Sequence, residues 1–137
     1  MSVYENLKEH GIELPKQLAA AGLYKPVNQA GNLVFISGQG SMVDDTKITG
    51  RVGADLSAAL EAYLGDLNRV KRCVKILGFV ASTDDFHEQA QVINSASQVF
   101  IDAFGEEGRH ARSAIGSNAL PLGLAVEVES IFEIEEA

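Results

Sequence analysis

Val70-Lys71-Arg72-Cys73-Val74-Lys75-Ile76-Leu77-Gly78-Phe79-Val80 is the stretch on which the fold turns. Read with strict alternation, it is a strand with Val70, Val74, Ile76 and Val80 on one face and Lys71, Cys73, Lys75, Leu77 and Phe79 on the other. The second face passes from charged to apolar along its length. A sheet whose outer face turns apolar has something packed on it, and in a chain of 137 residues a second subunit is the economical candidate. An oligomer is therefore expected.

Downstream, Asp84 or Asp85 caps a helix in which Phe86, Ala90, Ile93, Ala96, Phe100 and Phe104 recur at helical spacing until Gly105 stops it. Arg112 to Ser117 follows as a strand. After a Pro121/Gly123 turn, Leu124 to Ile134 alternates, with Leu124, Val126, Val128, Phe132 and Ile134 on one parity and Glu127, Glu129, Glu133 and Glu135 on the other.

Upstream, Leu56 to Leu64 reads as a short helix closed by Gly65, preceded by a polar loop from Asp44 to Gly53 with one short strand near Ile48. Tyr24 to Val27 and Asn32 to Ser37 read as strands joined around Gly31, the second ended by Gly38-Gln39-Gly40-Ser41. Ser2-Val3-Tyr4-Glu5 has capping-box spacing and Gly11 is a stop, which predicts a peripheral helix from Ser2 to His10 and then a Pro15-containing connector. The order ββ(β)αβαββ gives one α+β domain over 1–137, with 1–22 as an N-terminal extension and both main helices on one face of the sheet.

Composition narrows the function. No apolar run is long enough for a bilayer, and the N-terminus lacks the basic-then-apolar order of a signal peptide, so a cytoplasmic protein without membrane partners is expected. The net charge of −8 argues against nucleic acid, whose sequence-independent binding relies on Lys and Arg displacing counterions. A local basic patch remains around Lys71, Arg72 and Lys75. The lone Cys73, inside an apolar strand, reads as a buried structural thiol. There is no Gly-x-x-x-x-Gly-Lys loop, Gly-x-Ser-x-Gly elbow or His-Glu-x-x-His pair, so neither metal nor cofactor is expected. His10, His87 and His110 are scattered and read as surface histidines.

Arg112, in His110-Ala111-Arg112-Ser113, is the residue with most to say about chemistry, because a guanidinium at the mouth of an apolar strand can hold a carboxylate by two parallel hydrogen bonds. Fifteen residues on, Glu127 stands as a candidate base that could meet it across one hairpin. The plainer reading is a salt-bridged arginine and a solvated acidic face. Ser37, without a base nearby in sequence, reads as a hydrogen-bonding residue rather than a nucleophile.

Several motifs run together from Tyr24 to about Ile131: Gly31-Asn32, Ser37-Gly38-Gln39, Val70-Lys71, Asn94, Ala111-Arg112-Ser113, Leu120-Pro121 and Glu127-Val128-Glu129. In these the chain resembles the Rid or YjgF family of reactive intermediate deaminases, also labelled endoribonuclease L-PSP. The resemblance implies a chorismate-mutase-like fold assembled as a homotrimer with sites between subunits. It also implies hydrolysis of imines and enamines of the 2-aminoacrylate type to 2-keto acids and ammonia, on a small carboxylate-bearing metabolite and without cofactor. By the same resemblance Arg112 clamps the carboxylate, Glu127 polarises the water, backbone near Arg112 and Ala114 positions the imine, and Tyr24, Ser37 and Asn94 line the pocket.

The chain departs from the family in having Ala114 where Cys is frequent and Gly116 where an acid is frequent. The helix from Leu56 to Leu64 is also several turns shorter than the resemblance implies, as if residues were missing near Ser57-Ala58. Two rivals stay open: a non-catalytic carboxylate-binding protein on the same scaffold, and the ribonuclease or translation inhibitor of the older label.

Overall fold

The computed structural model describes residues 2–16, 22–44, 47–49 and 52–136. Three helices, α1 (Val3–Glu9), α2 (Val52–Leu64) and α3 (Gln89–Phe104), accompany six strands. These are β1 (Val27–Ala30), β2 (Leu33–Asp44), β3 (Lys47–Thr49), β4 (Val70–Ala81), β5 (Ala111–Ser117) and β6 (Leu124–Ile134). The sheet order is β1-β2-β6-β4-β5, with β3 paired to β2. All pairings are antiparallel except β4 with β5, which are joined through α3 and run parallel. A strand–helix–strand passage returns in this way because only a crossover brings a second strand alongside the first in the same direction.

One face of the sheet is covered by α2 and α3. Val34, Ile36, Ile76, Val128 and Phe132 point into this layer, where they pack with Leu56, Leu60, Ile93, Val99 and Phe100. Phe132 sits between the rings of Phe100 and Phe104 at centroid distances of 5.4 and 5.8 Å. Among the described residues no helix covers the opposite face, and on it Phe35 and Ile115 remain 42% and 47% exposed.

Residues outside local pattern change several expectations. The strand expected to end at Gly38 continues to Asp44, because three steps on β2 from Ile36 to Gln39 match two on β6, from Ser130 to Val128, so Ser37-Gly38 form a bulge rather than a terminus. The first strand begins at Val27 rather than Tyr24, which lies in a bend. β4 bulges at Val74, where Cys73 faces Phe132 and Lys75 faces Ile131. That extra residue reverses the alternation, so Cys73 joins Ile76 and Val80 in the core and not Lys75 and Leu77 outside. As a buried thiol it matches expectation, and desolvation pushes its pKa up to about 12.

Helix limits shift for physical reasons as well. α3 begins at Gln89 without a side-chain cap, since Asp85 accepts instead from Thr83 Oγ1 at 2.6 Å in the preceding turn. α2 starts one turn before Leu56 and passes unbroken through Ser57-Ala58, and the Ser57 hydroxyl donates to the Gly53 carbonyl at 2.8 Å. Even at thirteen residues it leaves Val34 and Ile36 covered. The capping box of α1 forms as read, between Ser2 and Glu5. That helix is not peripheral, because Val3 and Leu7 are core residues and Asn6 Nδ2 donates to the Ala103 carbonyl at the end of α3. Connector positions 17–21 and loop positions 45, 46, 50 and 51 lie outside the described residues. Among the described residues, no helix is long and apolar enough to cross a membrane.

Asp55, in the first turn of α2, is half-buried, and burial raises its carboxyl from 3.8 to about 6. The folded state therefore holds a proton over a range where the unfolded state has lost it. This costs nothing below pH 3.8, grows as pH rises through 6, and is complete above. After allowance for solvent screening of a half-exposed group, Asp55→Asn is expected to stabilise the fold by about 1 kcal/mol at neutral pH. Urea denaturation should show that gain at pH 7.5 and none at pH 3.5; equal gains at both would refute the desolvation account.

Candidate functional site

Arg112 lies on β5, an edge strand of the sheet. Its backbone pairs with Ile76, whose side chain enters the helical layer, so the arginine turns the same way and meets α3. Nη1 donates to Asn94 Oδ1 at 2.8 Å and to Ser97 Oγ at 3.1 Å, and Nη2 donates to the Ala90 carbonyl at 3.3 Å. These acceptors recur at i, i+4 and i+7 along one face of α3. Three of the five guanidinium N–H groups are engaged in this way, and among the described residues Arg112 forms no ion pair. The Nε–H and one Nη2–H are left, as many donors as a two-point carboxylate grip uses.

His110 precedes Arg112 by two residues and so leans to the same side of the sheet. Its Nδ1 is 2.7 Å from the Gly108 carbonyl and its Nε2 is 2.9 Å from Ser97 Oγ, while the ring stands edge-on to Phe100. It is half-buried and is not the surface histidine expected from its scatter. Burial lowers its pKa from 6.5, opposed by the Gly108 hydrogen bond and aided by the charge of Arg112. A carbonyl only accepts, so Nδ1 carries the proton, and in the neutral ring Nε2 takes the hydroxyl proton of Ser97.

Glu127 occupies the other face. It pairs with Phe79 and Gly40, and its side chain lies over Gly38 so closely that a Cβ built there would stand 2.9 Å from the Glu127 Cδ. Ser37, next to it in the bulge, donates through Oγ to the Lys25 carbonyl at 2.7 Å, the hydrogen-bonding role expected of it. Alongside runs a groove of about 300 Å³ lined by Asn28, Phe35, Ser37, Lys75, Leu77 and Glu129. Tyr24, half-exposed, precedes β1 beyond Lys25. The basic patch is partly neutralised, since Glu133 holds Lys71 at 3.4 Å and Arg72 at 2.9 Å.

β5 and β6 do not form a hairpin, because β4 lies between them, and so Arg112 and Glu127 do not meet within one chain. Two strand spacings across and three residues along, from the Ile76 to the Phe79 level, separate their Cα atoms by about 14 Å, with side chains on opposite faces. Arg112 and Asn94 come together, with Ala114 two residues on along the same side of β5; Ser37 and Glu127 are both on the open face, where Glu127 lies over Gly38, the neighbour of Ser37. Ser97 and His110 were missed by sequence reading, although each carried a signal: Ser97 follows Asn94 by three in a helix, and His110 shares the parity of Arg112. Among the described residues no group of three or more His, Cys, Asp or Glu side chains converges as metal ligands would.

Residues 14–134 match the family model described as Endoribonuclease L-PSP. Protein TCP17 of Trypanosoma cruzi is 40% identical over 150 aligned positions, covering 96% of this chain and 94% of that protein. The alignment is longer than the 137-residue chain, so the relative carries residues that this chain lacks. A crystal structure of a protein of unknown function from Agrobacterium tumefaciens is 36% identical, covers 97% of this chain and 92% of its own, and superposes with a TM-score of 0.82. RidA from an Antarctic Psychrobacter is 30% identical with a TM-score of 0.61, covering 87% of this chain and 94% of its own. With residues 14–134 on the family model and a 40% identical relative aligned over 96% of its length, the chain belongs to the endoribonuclease L-PSP family, the Rid or YjgF family that its sequence resembles.

Proposed function

We propose that this protein assembles as a homotrimer and hydrolyses 2-imino acids and their enamine tautomers to 2-keto acids and ammonia in clefts between copies. One observation carries the reading. Arg112, with two N–H groups left to give, stands at an outer edge of the sheet, while Glu127 and Ser37 stand on an uncovered, partly apolar face of the same sheet. The two half-sites complete one another if the β5 edge of one copy lies against the open face of the next.

In such a cleft the carboxylate of the substrate takes the Nε and Nη2 donors of Arg112, which fixes the imine carbon before a water held by Glu127. Water adds to that carbon as Glu127 takes its proton, the nitrogen is protonated, and the C–N bond breaks to release ammonia and leave the keto group. An imine is already electrophilic, so orientation and proton transfer suffice. Asn94 holds the arginine, Tyr24 and Ser37 line the approach, and Ala114 presents only a methyl group.

That methyl favours the second reading, a protein that binds a carboxylate metabolite without turning it over. The endoribonuclease activity named for relatives fits a net charge of −8 less well. An imino acid generated in situ by an amino-acid oxidase separates the three. Wild type should speed keto-acid release, Arg112→Ala and Glu127→Gln should not, and sedimentation should give three chains per particle. Wild type that binds pyruvate without speeding hydrolysis would establish the binding protein, and cleavage of labelled RNA would establish the nuclease.

A further inference from the structure

We propose that His110, acting through Ser97, is a positioning residue that sets Arg112 for carboxylate recognition, an inference that rests on the proposed imine site. The bonds form one directed chain from the Gly108 carbonyl through His110 Nδ1–H and Nε2 to the Ser97 hydroxyl, and from the Ser97 oxygen to Arg112 Nη1. Direction is imposed from its far end. The carbonyl fixes the proton on Nδ1, Nε2 is then an acceptor that draws the Ser97 hydroxyl proton toward itself, and the Ser97 oxygen turns a lone pair to the guanidinium. Without that pull the hydroxyl is free to bond back to its own helix and loses its preferred orientation toward Arg112.

The consequence falls on the unused side of the arginine. With Nη1 held by Asn94 and Ser97 together, and Nη2 by Ala90, the guanidinium plane is fixed and its Nε–H and second Nη2–H are left for a ligand. A two-point grip depends on that plane being set before the ligand arrives. Neither Ser97 nor His110 need touch the substrate, so their contribution belongs to carboxylate affinity and not to the chemical step.

Calorimetry with pyruvate, and with pyruvamide as the probe lacking the carboxylate, tests this on wild type, His110→Phe, Ser97→Ala and His110→Gln. The phenylalanine keeps a ring against Phe100 but offers no acceptor, and the glutamine restores one. Pyruvate binding is expected to weaken about tenfold in His110→Phe and Ser97→Ala, with His110→Gln close to wild type and pyruvamide alike in all four. On the imine made from alanine, KM should rise by the same factor while kcat holds. Equal losses for both probes would mark a general structural role and overturn the proposal, as would unchanged pyruvate affinity in both variants. If wild type hydrolyses imines while these variants keep their KM, the relay alone fails; if wild type neither hydrolyses them nor binds pyruvate, the proposed function fails and the relay with it.

Discussion

Co-expressing Arg112→Ala and Glu127→Gln chains, each at least about 100-fold impaired alone, is expected to restore about a quarter of the wild-type rate per site. The expectation follows from the sheet order. With β4 between β5 and β6 and the two side chains on opposite faces, no single copy brings Arg112 and Glu127 together. A cyclic assembly has head-to-tail interfaces, so each cleft draws its arginine from one copy and its carboxylate from the next. With random assembly half of the arginine contributions and half of the glutamate contributions are intact, independently. A mixture as inactive as its parents would show that both groups serve one cleft from the same copy, or that no composite cleft exists. Mixing after purification, without subunit exchange, should restore nothing and is the control.

Gly38→Ala should lower kcat by about 10- to 100-fold while leaving the melting temperature and KM nearly unchanged, because a displacement of about 1 Å at a reacting group has effects of this size. The Cβ of alanine would enter the space that the Glu127 carboxylate occupies above Gly38. What must move is the end of a flexible side chain, so the cost to folding is small, and alanine's lower unfolded-state entropy offsets part of it. Arg112 lies on the other face and keeps its grip, which is why KM should hold. In a Glu127→Gln background the alanine should add little further loss, since the group it displaces no longer acts. Fully additive losses would place the effect of Gly38 somewhere other than on Glu127.

Both experiments probe residues that sequence reading reached by different routes. Glu127 was legible as one of several glutamates on a strand parity, which could not tell a base from a solvated face. Gly38 was read as strand punctuation, whereas its lack of a side chain makes room for the carboxylate. Arg112 and Asn94 were expected in one site and do meet, at 2.8 Å. Their link to His110 was not expected, because the parity that His110 shares with Arg112 does not tell which helix residue its ring will meet.

The sequence by itself determined the nature and sequence order of most elements, the capping box at Ser2, the stop at Gly105 and the buried face of β6, all of which depend on residues a few positions apart. Strand order, the parallel pairing of β4 with β5 and the bulges at Ser37-Gly38 and Val74 were decided only in the tertiary structure. Pairing partners are chosen by packing across the whole chain, and a single inserted residue reverses every side chain beyond it without altering the local pattern. For that reason Cys73 is inside, and Arg112 and Glu127, fifteen residues apart in one chain, face opposite ways.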